Sequence, residues 1–314
     1  MVLIPGSGNC LAPARGCIDS RRHVRTPGRR PTRTLTLVHV TRGELEIAEV
    51  STNTGSRSEA ALASYDALAG EFEQNDPRDQ HTYMCSKLRT DYALLECVGA
   101  EGKSVLNVGC SFPVDELYYA RKVESWVAID LSAPSLEAAE VILKRELHPD
   151  LAAKFSFRVA DACDLPFDDA TFDVSVSMST IDHIPSAEAR QKAVEEMART
   201  TKPGGHVVIT VPNRWCLPYA AGVSKMTREQ TLHYGYVHLF SPREIRRIGE
   251  RAGLRPLVFR SSIASPDVWL PGYPFFVRWP AKLVFGVLRV WGRFGRRVGY
   301  AFEKPALPAS GSPA

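Results

Sequence analysis

Apolar residues follow two different periods along this chain, and from about residue 104 onward the two periods alternate. Short runs rich in β-branched and aromatic residues predict strands, and amphipathic stretches of 3.6-residue period between them predict helices. The predicted strands are 104–108, 126–130, 155–160, 172–178, 206–211 and 254–259, and the predicted helices include 114–123, 134–147, 187–200 and 241–253. Strands that alternate with helices at this spacing predict an α/β fold, a parallel sheet with helices on both faces.

The last of these helices has well-marked ends. Ser241 is a typical N-cap, Pro242 suits the first helical position, Glu244 completes a capping box, and Gly253 follows the end. Upstream, 59–103 also has helical periodicity and no strand signal. We therefore expect this segment to be an N-terminal helical lid of the same domain.

Residues 1–58 differ in composition, because they are punctuated by Pro, Gly, Ser and Arg. We expect a disordered or processed tail without a catalytic role. An Arg-rich targeting peptide is an alternative, although no clean amphipathic helix follows, and a twin-arginine export signal would need an apolar segment that is missing. Residues 306–314 are expected to be a second disordered tail.

Composition narrows the class of protein only moderately. The chain has 314 residues, 44% of them hydrophobic, and a net charge of +4, which is too small to indicate a nucleic-acid partner by itself. We expect no nucleic acid as partner. The seven cysteines form no C-x-x-C pair, which favours a reducing, cytoplasmic location over a disulfide framework or a zinc site. The oligomeric state stays open.

The stretch VLNVGCSFPVDELYYA, residues 105–120, predicts a strand, a sharp turn and a helix, with Gly109 at the turn. Asp130 ends the next strand, where its carboxylate could bind the hydroxyl groups of an adenosine ribose. A dinucleotide would lay its pyrophosphate against the helix N-terminus, and Phe112 and Pro113 would obstruct that approach. S-adenosyl-L-methionine has no phosphate there and needs one tight backbone turn, which Gly109 can supply. The turn therefore favours S-adenosyl-L-methionine over NAD.

Five motifs stand in order along the chain: VLNVGC, VAIDLS, VADACDLPFDDATFDVSVS, DHIP and KPGGHVVITVPN. With them, 104–213 resembles the class I S-adenosylmethionine-dependent methyltransferases, specifically the methyltransferase type 11 family that includes ubiquinone/menaquinone-biosynthesis enzymes. The resemblance implies a Rossmann-like fold for 59–305, with a seven-stranded, mostly parallel sheet. Its antiparallel last strand would be 297–305. It also implies methyl transfer to O, C or N of a small acceptor.

The resemblance implies a role for each matching cofactor residue. Gly109 would form the turn under the methionine moiety, and Asp130 would bind the ribose hydroxyls. Asp161, with the amide of Ala162, would hold the adenine edge, and Ser179 would lie beside the reactive methyl group.

Three positions depart from the family pattern. Asn107 stands where an acid is usual, and Ser111 and Pro113 stand where glycines are usual. Asn107 keeps hydrogen-bonding capacity but loses a charge that would face the cofactor's ammonium group. We expect Asp115, on the following helix, to supply that charge. A protein that has the fold but has lost catalysis, and binds a ligand or partner instead, is the alternative.

The candidate general base is His183, just after the strand 172–178, and His238 is a second candidate on the long loop after the strand 206–211. A structural histidine that caps the following turn is an equal alternative for His183. Tyr65, on the N-terminal helix, is placed to close over the cofactor.

The segment 261–296 is expected to be an insertion before the last strand. On a helical projection its basic residues form a narrow stripe opposite an aromatic-rich face, as in a helix that lies in a membrane interface. We therefore expect a peripheral membrane contact through 275–297 and a lipophilic acceptor: a quinol, a polyprenyl or sterol-like lipid, a glycolipid or a secondary metabolite. Packing on its own domain or on a second subunit is the alternative. The basic residues are Arg278, Lys282, Arg289, Arg293 and Arg296.

Overall fold

A computed structural model of the chain describes residues 34–41, 44–51, 56–71, 76–229, 231–232, 235–262, 280 and 292–306. Of the predicted insertion, only its two ends and residue 280 are among them. Where the structure describes the chain, no helix is both long and apolar enough to cross a membrane.

The strands and helices alternate in the described part of the chain, as the sequence pattern predicts. The seven strands of the main sheet are β3 (Ser104–Val108), β4 (Ser125–Asp130), β5 (Phe155–Val159), β6 (Phe172–Met178), β7 (Thr201–Pro212), β8 (Arg255–Ser261) and β9 (Arg297–Glu303). The helices among them are α4 (Val114–Tyr119), α5 (Ala133–Glu146), α6 (Pro149–Ala152), α7 (Ala187–Thr200), α8 (Leu217–Arg228) and α9 (Pro242–Arg251).

The strand order in this sheet is β5-β4-β3-β6-β7-β9-β8. Neighbours from β5 to β7 are parallel, and β9 pairs antiparallel with both β7 and β8. The Rossmann-like, mostly parallel sheet with an antiparallel last strand is therefore confirmed. The order reverses between β3 and β6, and in open α/β sheets ligands bind at the carboxyl ends of the strands at such a point.

Two boundaries differ from the sequence prediction. Strand β7 begins at Thr201, five residues earlier than expected, and takes in the Pro203-Gly204-Gly205 segment that the sequence suggested as a break. Its first residue continues the ladder, since Thr201 pairs with Phe172 before a register shift. Helix α4 ends at Tyr119 instead of residue 123. The capping box of α9, with Ser241 and Glu244, is confirmed.

N-terminal to this sheet, β1 (Thr34–Thr41) and β2 (Glu44–Ser51) form an antiparallel hairpin within the segment that we expected to be a tail. The expected lid segment is helical: α1 (Ser56–Ala69) precedes α2 (His81–Lys87), a π-helical turn (Leu88–Tyr92) and α3 (Ala93–Cys97). The π turn inserts one extra residue into an otherwise continuous helix.

Side chains alternate between two apolar cores on opposite faces of the sheet. Leu106 and Val108 of β3 pack with α7 and α9 residues in one core, whereas Val105 packs with Leu94 and Trp126 in the other. Both cores are sealed from water, because these side chains are 0% exposed. Removing each large side chain from water stabilises the fold by roughly 1.5–3 kcal/mol.

Gly249 of α9 lies against the buried ring of Phe302, and a Cβ added there would come within 2.3 Å of that ring. We expect Gly249→Ala to destabilise the protein by about 1–3 kcal/mol, because overpacking outweighs the gain in helix propensity. Gly222 of α8 has no atom within 4 Å of its added Cβ. There, alanine should stabilise by about 0.5–1 kcal/mol. Urea unfolding of both variants checks this, and equal effects at the two sites would contradict the packing described.

Candidate functional site

The carboxyl ends of β3, β4, β5 and β6 lie side by side at one edge of the sheet, because these strands are parallel and adjacent. The turn at Gly109 follows β3, Asp130 ends β4, Asp161 follows β5 and Ser179 follows β6. The topology therefore brings the predicted cofactor-binding residues to a single edge. It also brings His183 there, five residues beyond the end of β6.

Gly109 has a left-handed conformation, with φ of 80°, and the side chain of Thr180 fills the space beside it. A Cβ at Gly109 would lie 2.0 Å from Thr180 Cγ2. The Thr180 hydroxyl donates a hydrogen bond of 3.1 Å to the Gly109 carbonyl, and the Gly109 amide donates one of 2.8 Å to Ile129. Any side chain at this position would push the turn away from β6, so only glycine fits.

Asp130 accepts a hydrogen bond of 3.0 Å at each carboxylate oxygen, from the amides of Ser111 and Ser132. Burial raises the pKa of Asp130, and these amides oppose the rise. Each oxygen retains a second lone pair, so the carboxylate can still accept hydrogen bonds from a ligand. Ser111 has a φ of 47°, a conformation that serine seldom adopts and that turns its amide toward Asp130.

Asp161 and Ser179 form local turns on either side of the loop at Gly109. Asp161 Oδ1 accepts a 2.8 Å hydrogen bond from the amide of Cys163, and the intervening Ala162 packs against the core. Ser179 has a φ of 64°, and its amide donates to the carbonyl of Thr210 at 2.8 Å. Left-handed conformations of non-glycine residues at a ligand edge are typical of functional loops.

Helix α1 crosses this edge above the end of β3. The hydroxyl of Ser132, just after β4, donates a 2.6 Å hydrogen bond to Asp66. The neighbouring Tyr65 meets the ring of His183, beyond β6, edge to face with 5.5 Å between ring centroids. Because β4 and β6 flank β3 in the sheet, α1 spans the turn at Gly109. That Tyr65 closes over a bound cofactor stays a prediction.

His183 lies in a 3₁₀ turn (Ile181–His183) and its side chain is 14% exposed. Its Nδ1 is 2.9 Å from the carbonyl oxygen of Tyr236 and therefore carries the proton that it donates. Its Nε2 is 3.4 Å from Asp182 Oδ2. Burial raises the pKa of Asp182, and the charge of His183 opposes the rise. The imidazole therefore lies between the Tyr236 carbonyl and the Asp182 carboxyl group.

His238 has a different neighbourhood. Its Nε2 is 2.7 Å from Glu244 Oε1, and Glu244 also caps α9, so the imidazole connects the loop to that helix. Its backbone amide donates a 2.7 Å hydrogen bond to the carbonyl of Asp182. The structure therefore brings His238 close to the Asp182–His183 pair through its backbone, while its ring contacts the helix cap and Phe240.

The acid beside Asn107 is Glu116. Asn107 Nδ2 and Trp126 Nε1 both donate to Glu116 Oε1, at 2.7 Å and 2.9 Å. Sequence reasoning missed this contact because Glu116 stands nine residues away, on the helix that follows the turn. The signal was available in Asn107 itself, because a buried amide needs a hydrogen-bond partner nearby.

Asp115, which we expected to replace the missing charge, forms an ion pair with Lys87, whose Nζ is 2.9 Å from Asp115 Oδ1. Lys87 also contacts Asp91 of the π turn, and Arg297 of β9 is bonded to the same Asp91 carboxylate. Burial opposes the charge of Lys87, but Asp115, Tyr83 and Asp91 together raise its pKa. This four-residue charge cluster connects the N-terminal helices to α4 and to the last strand.

Comparisons with known proteins agree with this architecture. Residues 106–209 match the family described as "Methyltransferase domain", which confirms the resemblance predicted from the motifs. Among solved structures, phosphoethanolamine N-methyltransferase 2 of Haemonchus contortus has a TM-score of 0.55, with 17% identity over 87% of this chain and 68% of that one. The 4+2 cyclase SpnF has a TM-score of 0.52, with 17% identity over 80% of this chain and 97% of that one. Both show the fold alone.

Several curated relatives are more similar in sequence. Tocopherol O-methyltransferase of Arabidopsis thaliana is 36% identical over 115 residues, which are 36% of this chain and 30% of that protein. A ubiquinone biosynthesis O-methyltransferase of Alkalilimnicola ehrlichii is 29% identical over 154 residues, 49% of this chain and 59% of that protein. The chain thus spans less than two thirds of the length of either relative.

Glu116 predicts a specific pH dependence of stability. Burial and the neighbouring Asp115 raise its pKa from 4.5 to about 7, against the hydrogen bonds from Asn107 and Trp126. The pKa of Glu116 is higher in the folded than in the unfolded protein, so the protonated carboxyl group stabilises the fold. This stabilisation is complete below about pH 4.5 and is lost as the pH rises to about 7. In the unmodified protein this lowers the free energy of unfolding on the order of 2–3 kcal/mol as the pH rises, and we expect Glu116→Gln to abolish that decrease.

Urea unfolding of both proteins between pH 5 and 8 measures this difference. The exposed Glu137 of α5 provides the matched control, because Glu137→Gln removes one carboxylate and leaves the Asn107–Glu116 hydrogen bond unchanged. A Glu116→Gln curve parallel to that of the unmodified protein would contradict the assignment.

Proposed function

We propose that this chain, whose residues 106–209 match the methyltransferase-domain family, binds S-adenosyl-L-methionine and transfers its methyl group to O, C or N of a small lipophilic acceptor. The observation that carries the proposal is the Gly109 turn, closed by Thr180 and placed beside the Asp130 carboxylate at the reversal of strand order. The names of the relatives support it, since those that match at 33–36% identity are methyltransferases.

The residues at this edge fit the cofactor chemically. The Asp130 carboxylate has acceptor capacity left for the ribose hydroxyls, and the loop at Asp161 and Ala162 lies next in the sheet for the adenine. Among the described side chains, the buried Asn107 Oδ1 is an oxygen without a hydrogen-bond donor. An oxygen of that kind suits the ammonium of the methionine moiety. Phe112, which could have blocked the site, packs with α1 and α5 residues in a separate apolar cluster.

When bound, the sulfonium supplies a methyl group that is already activated for in-line displacement. The chain's own contribution is then alignment and proton removal. We assign proton removal to His183, because it lies at this edge just beyond β6 and the hydrogen bond from Nδ1 to Tyr236 orients its imidazole. Asp182 stabilises the imidazolium that forms, and Tyr65 covers the ring from above. His238 would hold the loop that carries Tyr236.

A lipophilic acceptor is supported by two observations. The relatives' names refer to tocopherol and to ubiquinone biosynthesis, both lipophilic compounds. The segment 275–297 combines basic and aromatic residues in the pattern of an interfacial helix. We propose that it contacts the inner face of a membrane peripherally, with the catalytic domain on the cytoplasmic side.

Binding of the cofactor is tested by isothermal titration with S-adenosyl-L-methionine. We expect saturable binding to the unmodified chain, and about 10–100-fold weaker binding to Gly109→Ala, because alanine is strained at positive φ and meets Thr180. Gly222→Ala, in open space on α8, is the control and should bind normally. A folded, unmodified chain that gives no binding would contradict the proposal and favour a catalytically silent protein.

Catalysis is tested with His183→Gln, using methyl-labelled S-adenosyl-L-methionine and a panel of polyprenyl catechols and quinols in detergent. We expect kcat to fall by about 10²–10⁴, the usual contribution of a general base, with cofactor affinity unchanged within about twofold. His148→Gln, an exposed histidine, is the control. If the His183→Gln variant transferred methyl groups at the full rate, the general-base role would be contradicted. His183 would then serve only to contact the loop that carries Tyr236.

A further inference from the structure

Two segments that are far apart in the sequence meet beside the mouth of the site. One follows β7 and begins α8, and the other precedes β9. Together they form a surface that we call the basic–aromatic patch, which consists of Trp215, Leu217, Tyr219, Arg293, Phe294 and Arg296. From its structure and charge we infer that this patch docks the protein on an anionic lipid bilayer.

The patch is held together by one buried side chain. Asn213 is 0% exposed, and its Nδ2 donates hydrogen bonds of 2.8 Å and 2.7 Å to the carbonyls of Arg293 and Gly295. Its backbone amide donates to the carbonyl of Arg296 at 2.9 Å. These three bonds fix the backbone of the second segment against the end of β7. The patch is therefore organised before it meets a partner, which lowers the cost of binding.

Side-chain contacts continue this pairing at the surface. The rings of Trp215 and Phe294 lie 6.0 Å apart, and the Arg296 guanidinium lies over the ring of Tyr219 at 4.5 Å. Leu217, which stands between Trp215 and Tyr219 in the sequence, is 66% exposed, the highest exposure given for a large hydrophobic side chain in the described part of the chain. Arg293 and Arg296 are exposed as well. Apolar, aromatic and basic groups thus share one surface.

The charge of both segments has one sign. Neither 213–228 nor 268–302 contains an aspartate or a glutamate, although the chain as a whole has 35 acids against 39 basic residues. Of the patch's neighbours, Arg214 is engaged by Glu244 at 3.4 Å. Since no acid lies within either segment to neutralise Arg293 and Arg296, the patch attracts an anionic surface.

This combination favours a bilayer over the other anionic or apolar partners. A second copy of the chain, docked symmetrically, would bring the same arginines against each other. The phosphates of a nucleic acid would bind the arginines, but a nucleic acid offers no apolar surface that would bury Leu217. An anionic bilayer binds both kinds of side chain, because its headgroups bind the arginines and its interface buries the apolar and aromatic side chains.

The position of the patch gives it a purpose. Pro212 ends β7 and pairs with Arg297 at the start of β9, so the patch borders the carboxyl edge where the site opens. Docked there, the protein would receive a membrane-dissolved acceptor directly from the lipid. The inference deepens the proposed function in this respect, although binding to the bilayer itself requires no catalysis.

The test is flotation of the full chain with vesicles of phosphatidylcholine alone or with about a third of phosphatidylglycerol added. We expect binding to the anionic vesicles, weakened by salt, and little binding to the neutral ones. Arg293→Glu/Arg296→Glu should weaken binding about 30-fold or more, and Leu217→Asp should weaken it about tenfold. Neither the two arginines nor Leu217 belong to the cofactor site, so S-adenosyl-L-methionine titration should be unaffected.

Two substitutions on α5 are the matched controls. Val141→Asp and Lys144→Glu change an exposed apolar and an exposed basic side chain, 62% and 66% exposed, on another helix. They should leave vesicle binding unchanged. Absence of flotation, equal binding to neutral vesicles, or equal losses in the patch and control variants would each overturn the inference. Vesicle binding without cofactor binding would contradict the proposed function and support the docking role of the patch. Cofactor binding without vesicle binding would support the proposed function and contradict the docking role.

Discussion

The approach of Thr180 to Gly109 is the contact on which the site depends. It joins the ends of β3 and β6, the two strands between which the sheet order reverses, at a distance that no side chain at position 109 would allow. Asp130 then holds the rest of the loop through the amide of Ser111. With the turn fixed at both ends, α1 can close over it, anchored near Asp130 by Asp66 and near His183 by Tyr65.

A second constraint is the placement of buried charge around this turn. Position 107 carries an amide, and the carboxyl group beside it is supplied from α4 by Glu116. Asp115 is meanwhile paired with Lys87 from the N-terminal helices, and Asp91 of the π turn pairs with Arg297. Buried charges are tolerated when each has a partner, and removing one partner is costly. The N-terminal helices are therefore coupled to the turn by charge pairing in addition to apolar packing.

Much of this could be predicted from the order of strands and helices. The alternation of apolar periods gave β3 and β6 to the residue, and parallel strands necessarily bring Gly109, Asp130, Asp161 and Ser179 to one edge. Contacts between side chains distant in sequence could not be predicted in the same way. The pairing of Asn107 with Glu116 and the contact of Tyr65 with His183 depend on how α4 and α1 pack. The fold by itself does not determine the reaction, as the similar cyclase illustrates.

The most direct measurement is a crystal structure of the chain with S-adenosyl-L-homocysteine, the demethylated product of the cofactor. The account predicts both ribose hydroxyls within about 3 Å of the Asp130 carboxylate, the usual hydrogen-bond distance, with the amino acid moiety over Gly109. It also predicts that the sulfur faces the side of the site that holds His183. The claim that this turn and Asp130 hold the cofactor would be contradicted if the product were bound elsewhere. It would also be contradicted if Asp130 accepted hydrogen bonds only from the amides of Ser111 and Ser132.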